Sequence, residues 1–167
     1  MQIRPERRTD IPRIRAVNLE AFETSTEADL VDALRTQAEP IVSLVAEDGE
    51  AIVGHILFSP VTLIAHPELR IIGLAPMAVV PAKQRQGIGS ALVHEGLKQC
   101  RALGFGVVIV LGHAGYYPRF GFMRASHVGL GCEYEVPEEV FMVLELEPGA
   151  LQGKSGTIRY HPAFASV

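Results

Sequence analysis

Pro81-Ala82-Lys83-Gln84-Arg85-Gln86-Gly87-Ile88-Gly89-Ser90 is the stretch that decides how this chain is read. Before it, Ile71–Val80 is an apolar, strand-like run. After it the apolar period changes. Gly89, Leu92, Val93, Gly96, Leu97, Cys100 and Leu103 fall on one face of a helix, which is expected over about Gly87–Leu103. Gly104 suits the end of that helix. Phe105–Leu111 is then a continuous apolar, β-branched run, the pattern of a strand buried on both faces. Strand, turn, helix and strand make a β-α-β unit, so the two strands should lie parallel through a right-handed crossover. The turn opens a helix, whose free N–H groups and positive dipole end suit a phosphate. Gly87 and Gly89 would let the backbone approach such an anion closely. Lys83 and Arg85 add positive charge where the dipole alone disfavours it, and an anionic partner explains them. A loop whose glycines only permit the turn is the plainer alternative. Neither a Walker A loop nor the G-x-G-x-x-G dinucleotide fingerprint is present.

Working outward, Met1–Arg4 reads as a short strand. Thr9-Asp10 offers capping oxygens to a helix running through Phe22, and Thr26–Gln37 reads as a second helix. Ile41–Glu47 and Ala51–Ser59 are strand-like and joined through Asp48-Gly49, a hairpin signal. Val140–Leu146 and a short Thr157–Tyr160 complete the strands. The class is α+β (mixed α/β) with one largely antiparallel sheet. The 167 residues, 48% hydrophobic and 20% charged, are expected to form a single domain without disulfides or structural metal. A net charge of −4 gives no basic field for nucleic acid. The two cysteines, Cys100 and Cys132, form no C-x-x-C pair. The arginine-rich start lacks an apolar stretch, and no run is long enough to span a bilayer, so a cytoplasmic protein without a membrane partner is expected.

Gln84-Arg85-Gln86-Gly87-Ile88-Gly89 resembles the Q/R-x-x-G-x-G/A acetyl-CoA signature of the GNAT superfamily of N-acetyltransferases. Leu74-Ala75-Pro76-Met77-Ala78-Val79-Val80-Pro81 resembles that family's fourth strand, and Tyr117-Pro118-Arg119-Phe120-Gly121-Phe122 its tyrosine segment. Leu111–Tyr117 and Phe141–Leu146 are similar to the YhbS-like branch. The resemblance is specific from Met77 to Phe122 and loose before Ile41. It implies a twisted, mostly antiparallel sheet with a central parallel strand pair that splays apart, flanked by helices. Acetyl-CoA would enter that splay as the acetyl donor. Pro76 fits, because a proline in a paired strand predicts a bulge or broken pairing.

By the resemblance, backbone groups of Met77, Ala78, Val79 and Val80 would serve the pantetheine arm and the thioester carbonyl, as an oxyanion donor does. Gln84, Arg85, Gln86, Gly87, Ile88, Gly89 and Ser90 would hold the pyrophosphate. Tyr117 stands where the family keeps the acid that protonates the departing thiolate, with Tyr116 beside it as an alternative. The amine acceptor must also lose a proton, since its pKa is about 10.4. The base is not legible: Ile71–Val80 contains no acid, His55 and His113 are candidates more readily read as structural, and Glu20 and Glu47 are weaker. A covalent route through Cys132 has no partnered histidine, and no metal motif is present. The expected activity is acetyl transfer from acetyl-CoA to a primary amine by direct attack. The alternative is a non-catalytic module of the same fold that binds or senses acyl-CoA. Glu20, Glu23, Glu27 and Asp29 give the acceptor side acidic character that could attract a cationic amine, although a solvated helix face explains them as simply. Homodimerisation through C-terminal strands is a further expectation.

Overall fold

The computed structural model describes the backbone of residues 1–167 and every side chain except that of Ser166. Nine strands and three helices follow in the order β1 (Gln2–Pro5), α1 (Ile11–Ala21), α2 (Thr26–Gln37), β2 (Val42–Asp48), β3 (Ala51–Leu63), β4 (Ile71–Val79), α3 (Ile88–Ala102), β5 (Val107–Leu111), β6 (Met123–Arg124), β7 (Leu130–Cys132), β8 (Phe141–Glu145) and β9 (Gly156–Arg159). The sheet runs β1-β2-β3-β4-β5-β8-β6, and β9 pairs with the end of β3 and with β7. Within the main sheet every neighbouring pair is antiparallel except β4 with β5, the two strands joined by α3.

The expected elements are present, with shifted edges. β3 passes Ser59 and continues to Leu63. Pairing with β2 ends at Phe58, so Pro60 lies beyond the stretch paired on both sides, where a missing N–H is tolerated. α3 begins at Ile88 because Gly87 adopts a left-handed φ of 85° as its cap. At the N terminus, Asp10 does not cap α1. Its Oδ2 accepts from the Arg7 N–H at 2.6 Å and from Arg4 Nη1 at 2.7 Å. Arg4 also donates to Glu47 at 3.0 Å, tying β1, β2 and the entrance to α1 together.

Alternation along the strands divides the core into faces. α3 lays Leu92, Val93 and Cys100 over Leu44, Ile56, Phe58 and Val108. α1 and α2 lay Ile14, Val17, Leu30, Val31 and Leu34 over Val45, Leu57 and Ala78 on the opposite face. Beside them, Leu63, Ile71, Ile109, Phe141, Val143 and Ile158 form the core under the C-terminal segments. Gly96 permits the closest approach of α3, since a Cβ there would stand 2.3 Å from the Phe58 ring.

Candidate active site

The site begins where two parallel strands part. β4 and β5 pair from Ile71↔Val107 to Leu74↔Val110 and no further. Beyond Leu74, β4 follows β3, while β5 continues along β8 to Leu111. Pro76 lies at the point of departure. Ile56 pairs with Met77 and Phe58 with Leu74, so Leu57 faces both Ala75 and Pro76 across a bulge. The backbone after the bulge thus borders a cleft in place of a neighbouring strand.

The direction of the backbone amides follows from the ladder. The Val80 N–H donates to Val53 O at 2.9 Å, so it is not free for the cleft, contrary to the sequence expectation. Antiparallel pairing alternates, which turns Ala78 toward β3 as well and sends the N–H groups of Met77 and Val79 toward the cleft. The Val79 carbonyl on that side accepts from Gln84 Nε2 at 3.0 Å. Gln84 therefore fastens the turn to β4.

In the turn itself, the Gln86 side chain donates to Ala82 O at 3.4 Å. Lys83 pairs with Asp48 at 3.5 Å, so part of the positive charge attributed to an anion has a protein partner. Arg85 is exposed, with an unusual φ of 63°. No side chain caps α3, and its first backbone bond runs from Ala91 N to Gly87 O. The amides just ahead of Ala91 thus stand at the helix end without a capping acceptor. Gly87 and Gly89 are required for different reasons. Gly87 has open space around it and is needed for its positive φ, whereas a Cβ on Gly89 would stand 3.1 Å from the Tyr116 hydroxyl.

The other end of the cleft opens into a cavity of about 500 Å³. Leu74, Ala75, Pro76 and Met77 form its β4 side, and Leu111, Gly112, His113 and Tyr117 its β5 side. Phe22, Glu27 and Leu30 come from α1 and α2, while Tyr134, Val136, Tyr160 and Phe164 come from the C-terminal third. Met77 links the two ends: it lines the cavity, and its Cε lies 3.5 Å from a Cβ placed on Gly89.

The adjacent tyrosines do different things. The Tyr116 hydroxyl is 3.2 Å from Ser90 Oγ at the start of α3, and Arg119 stacks 4.3 Å from its ring centre. Tyr117 is buried, lines the cavity and packs edge-on against Tyr116 and Phe122. Burial, with a smaller contribution from Tyr116, pushes its phenol up to about 12. Gly112 seats the ring, because a Cβ there would come 2.3 Å from Tyr117 Cε2.

Of the basic candidates, only His113 lines the cavity. His55 is fully buried in a polar chain in which its Nε2 lies 2.8 Å from Ser43 Oγ. Ser43 bonds Glu6, and Arg35 donates to Glu6 at 2.8 Å. Glu47 is held by Arg4, and Glu20 is exposed away from the cavity. Cys132 lies in a separate hollow, and burial raises its thiol, the reverse of what a nucleophile needs. Of the four acidic residues read from the sequence on the acceptor side, Glu27 lines the cavity and Glu20, Glu23 and Asp29 do not, and nothing in the sequence signals the aromatic wall of Tyr134, Tyr160 and Phe164. Their convergence depends on how distant segments fold together and leaves no local pattern. No group of three or more metal-ligating side chains occurs among the described residues. Among them, too, no helix is long and apolar enough to cross a membrane.

A mixed sheet with a splayed parallel pair, a glycine turn at one end of the gap and a cavity at the other defines the acetyltransferase architecture. The acetyltransferase (GNAT) domain model matches residues 2–125, and the chain belongs to that family. It is 38% identical to the N-acetyltransferase YhbS of Escherichia coli K12 over 165 residues, covering 98% of both chains. It is 42% identical to the N-acetyltransferase YjhQ of the same strain over 138 residues, covering 79% of this chain and 75% of that one. The crystal structure of E. coli YhbS in complex with CoA superposes with a TM-score of 0.92 at 37% identity, covering 98% of this chain and 91% of that one. A GNAT acetyltransferase from Brucella melitensis in complex with acetyl-CoA gives 0.81 at 37% identity, covering 98% and 97%.

Proposed function

We propose that the protein transfers an acetyl group from acetyl-CoA to a primary amine by direct attack. The opening of the parallel pair at Leu74 carries this reading, since it places two inward-facing amides, a glycine turn and a tyrosine along one cleft. The pyrophosphate lies at the α3 N terminus, against the backbone of Arg85–Ser90. Of the four β4 residues expected from the sequence, Met77 and Val79 are the backbone donors toward the pantetheine arm and the thioester carbonyl, while Ala78 and Val80 turn toward β3. Gln84 acts by anchoring the turn, and Tyr116 with Ser90 braces the helix end.

The deprotonated amine nitrogen attacks the thioester carbon, and an amide N–H stabilises the developing oxyanion. As the intermediate collapses, the C–S bond breaks, nitrogen loses its remaining surplus proton, and Tyr117 donates its phenolic proton to the thiolate. A phenol held near 12 stays protonated until that moment. It is then reprotonated at the expense of the proton released from nitrogen.

Thermal unfolding with acetyl-CoA, CoA and ATP tests the cofactor assignment. Ligand at about a hundred times its Kd adds about 2.7 kcal/mol, or roughly 5–10 °C for a chain of this size. Acetyl-CoA and CoA should produce that rise and ATP little of it. Absence of a rise at saturating acetyl-CoA would withdraw the assignment.

A further inference from the structure

Among the described residues, Glu27 supplies the only acidic side chain that lines the cavity. Its Oε2 is buried and has no hydrogen-bond partner among the described residues. Three nearby acids are engaged, while Glu20 and Glu23 are exposed to solvent. Asp29 accepts from Arg15 and Ser25, Asp32 from Arg15 and Arg35, and Glu6 from Arg35. Among the described residues no hydrogen-bond donor reaches Glu27 Oε2, and no lysine or arginine lines the cavity. An unpartnered carboxylate oxygen at an apolar wall is completed by a cation that brings its own N–H donors.

The cavity's C-terminal residues have matching chemistry. Tyr134 and Tyr160 lie 5.9 Å apart between ring centres, and Tyr160 and Phe164 5.1 Å apart. These rings border the same cavity as Glu27 and offer apolar area and π faces, which attract an ammonium group and its carbon body together. The inner side is Ala75, Pro76, Met77 and Tyr117, the end of the cleft where the thioester lies in the acetyltransferase reading on which this inference rests. We propose that Glu27 is the acceptor-binding residue, pairing with the ammonium of a small monoamine whose apolar body lies against Tyr134, Tyr160 and Phe164; that nitrogen then gives one proton to water and attacks the thioester carbon as the free amine. One carboxylate side chain, with no second acidic side chain among the described lining residues, suits a single charge; a polycation would leave its other ammonium groups without anionic partners.

The test uses phenethylamine and isoamylamine against spermidine and a tetracationic aminoglycoside, with acetyl-CoA and release of the CoA thiol as readout. The monoamines should exceed the polycations in kcat/KM by about tenfold or more. Glu27→Gln should raise KM for phenethylamine by about tenfold or more with a smaller change in kcat, and Glu27→Asp should recover part of the loss. Both variants should keep the wild-type rise in Tm with acetyl-CoA, which shows that the fold and cofactor end are intact. An unchanged KM in Glu27→Gln overturns the assignment, as does preference for the polycations. So does wild-type protein that acetyl-CoA stabilises but that acetylates none of the four amines. Wild-type protein that acetyl-CoA fails to stabilise overturns the cofactor reading itself, and this inference with it.

Discussion

Two neighbouring tyrosines show how much one residue's setting decides. Tyr116 spends its hydroxyl on Ser90, while Tyr117 turns a buried phenol toward the cavity without a protein partner among the described residues. Tyr117→Phe keeps the ring packing and removes only the proton. It should lower kcat about a hundredfold while leaving the acetyl-CoA-induced rise in Tm unchanged. Because burial holds the phenol near 12, the wild-type pH profile should show no loss of activity from Tyr117 ionisation below about pH 10. Gly112 tests the same group by position. A Cβ there would meet Tyr117 Cε2 at 2.3 Å, so Gly112→Ala must move the ring. A displacement of about 1 Å can reduce turnover by up to a hundredfold. Steady-state rates should therefore fall by about tenfold or more in Gly112→Ala, with cofactor binding retained.

At the scale of elements, α3 is where local pattern and tertiary packing agree most closely. Its apolar spacing is readable because a helix face repeats within its own sequence: Leu92, Val93, Gly96 and Cys100 are buried as that spacing expects, whereas Gly89 and Leu97 are half-buried, Leu103 is exposed, and Ile88, off that spacing, is buried. Gly96 carries a second message that spacing does not convey. Alanine there would favour the helix by about 1 kcal/mol. It would also place a methyl 2.3 Å from a Phe58 ring carbon, and such overpacking costs about 1–3 kcal/mol. The clash outweighs the propensity, so Gly96→Ala should lower the urea midpoint at unchanged m-value. The bulge at Pro76 was legible for a similar reason, since a proline declares its own missing donor. β6 and β7 were not legible: at two and three residues they are too short to show a period and exist only through their partners. The amide directions on β4 also needed the register, because a shift of one residue exchanges Ala78 and Val80 for Met77 and Val79. The cavity was least legible. Glu27, Tyr117, Tyr134 and Phe164 share a cavity only because α2, the loop after β5 and the C-terminal turn converge over the open strands.

The whole molecule sets an apolar sheet against helices on both faces, and one face carries a buried polar chain from Arg35 through Glu6 and Ser43 to His55. His55 Nδ1 has no partner among the described residues, and burial lowers the imidazole to about 4, with Glu6 opposing and Arg35 reinforcing the shift. An unfolded histidine titrates near 6.5. Between these values the unfolded chain binds a proton that the folded chain refuses, so stability is complete above about pH 6.5 and falls as pH drops toward 4. From pH 7.5 to 5 the loss is about 2 kcal/mol. The carboxylates act lower. Burial raises Glu6, but hydrogen bonds from Arg35 and Ser43 outweigh it, and the Arg4 guanidinium holds Asp10 down. Their contribution is therefore present above the ordinary carboxylate range near 4 and is lost only as pH falls through their depressed values. Urea unfolding at pH 7.5, 6.5, 5.5 and 5 separates the two sources. The wild type should lose stability over that range, while His55→Asn should start less stable and show a flatter slope. An equal slope in both proteins would assign the loss to groups other than His55.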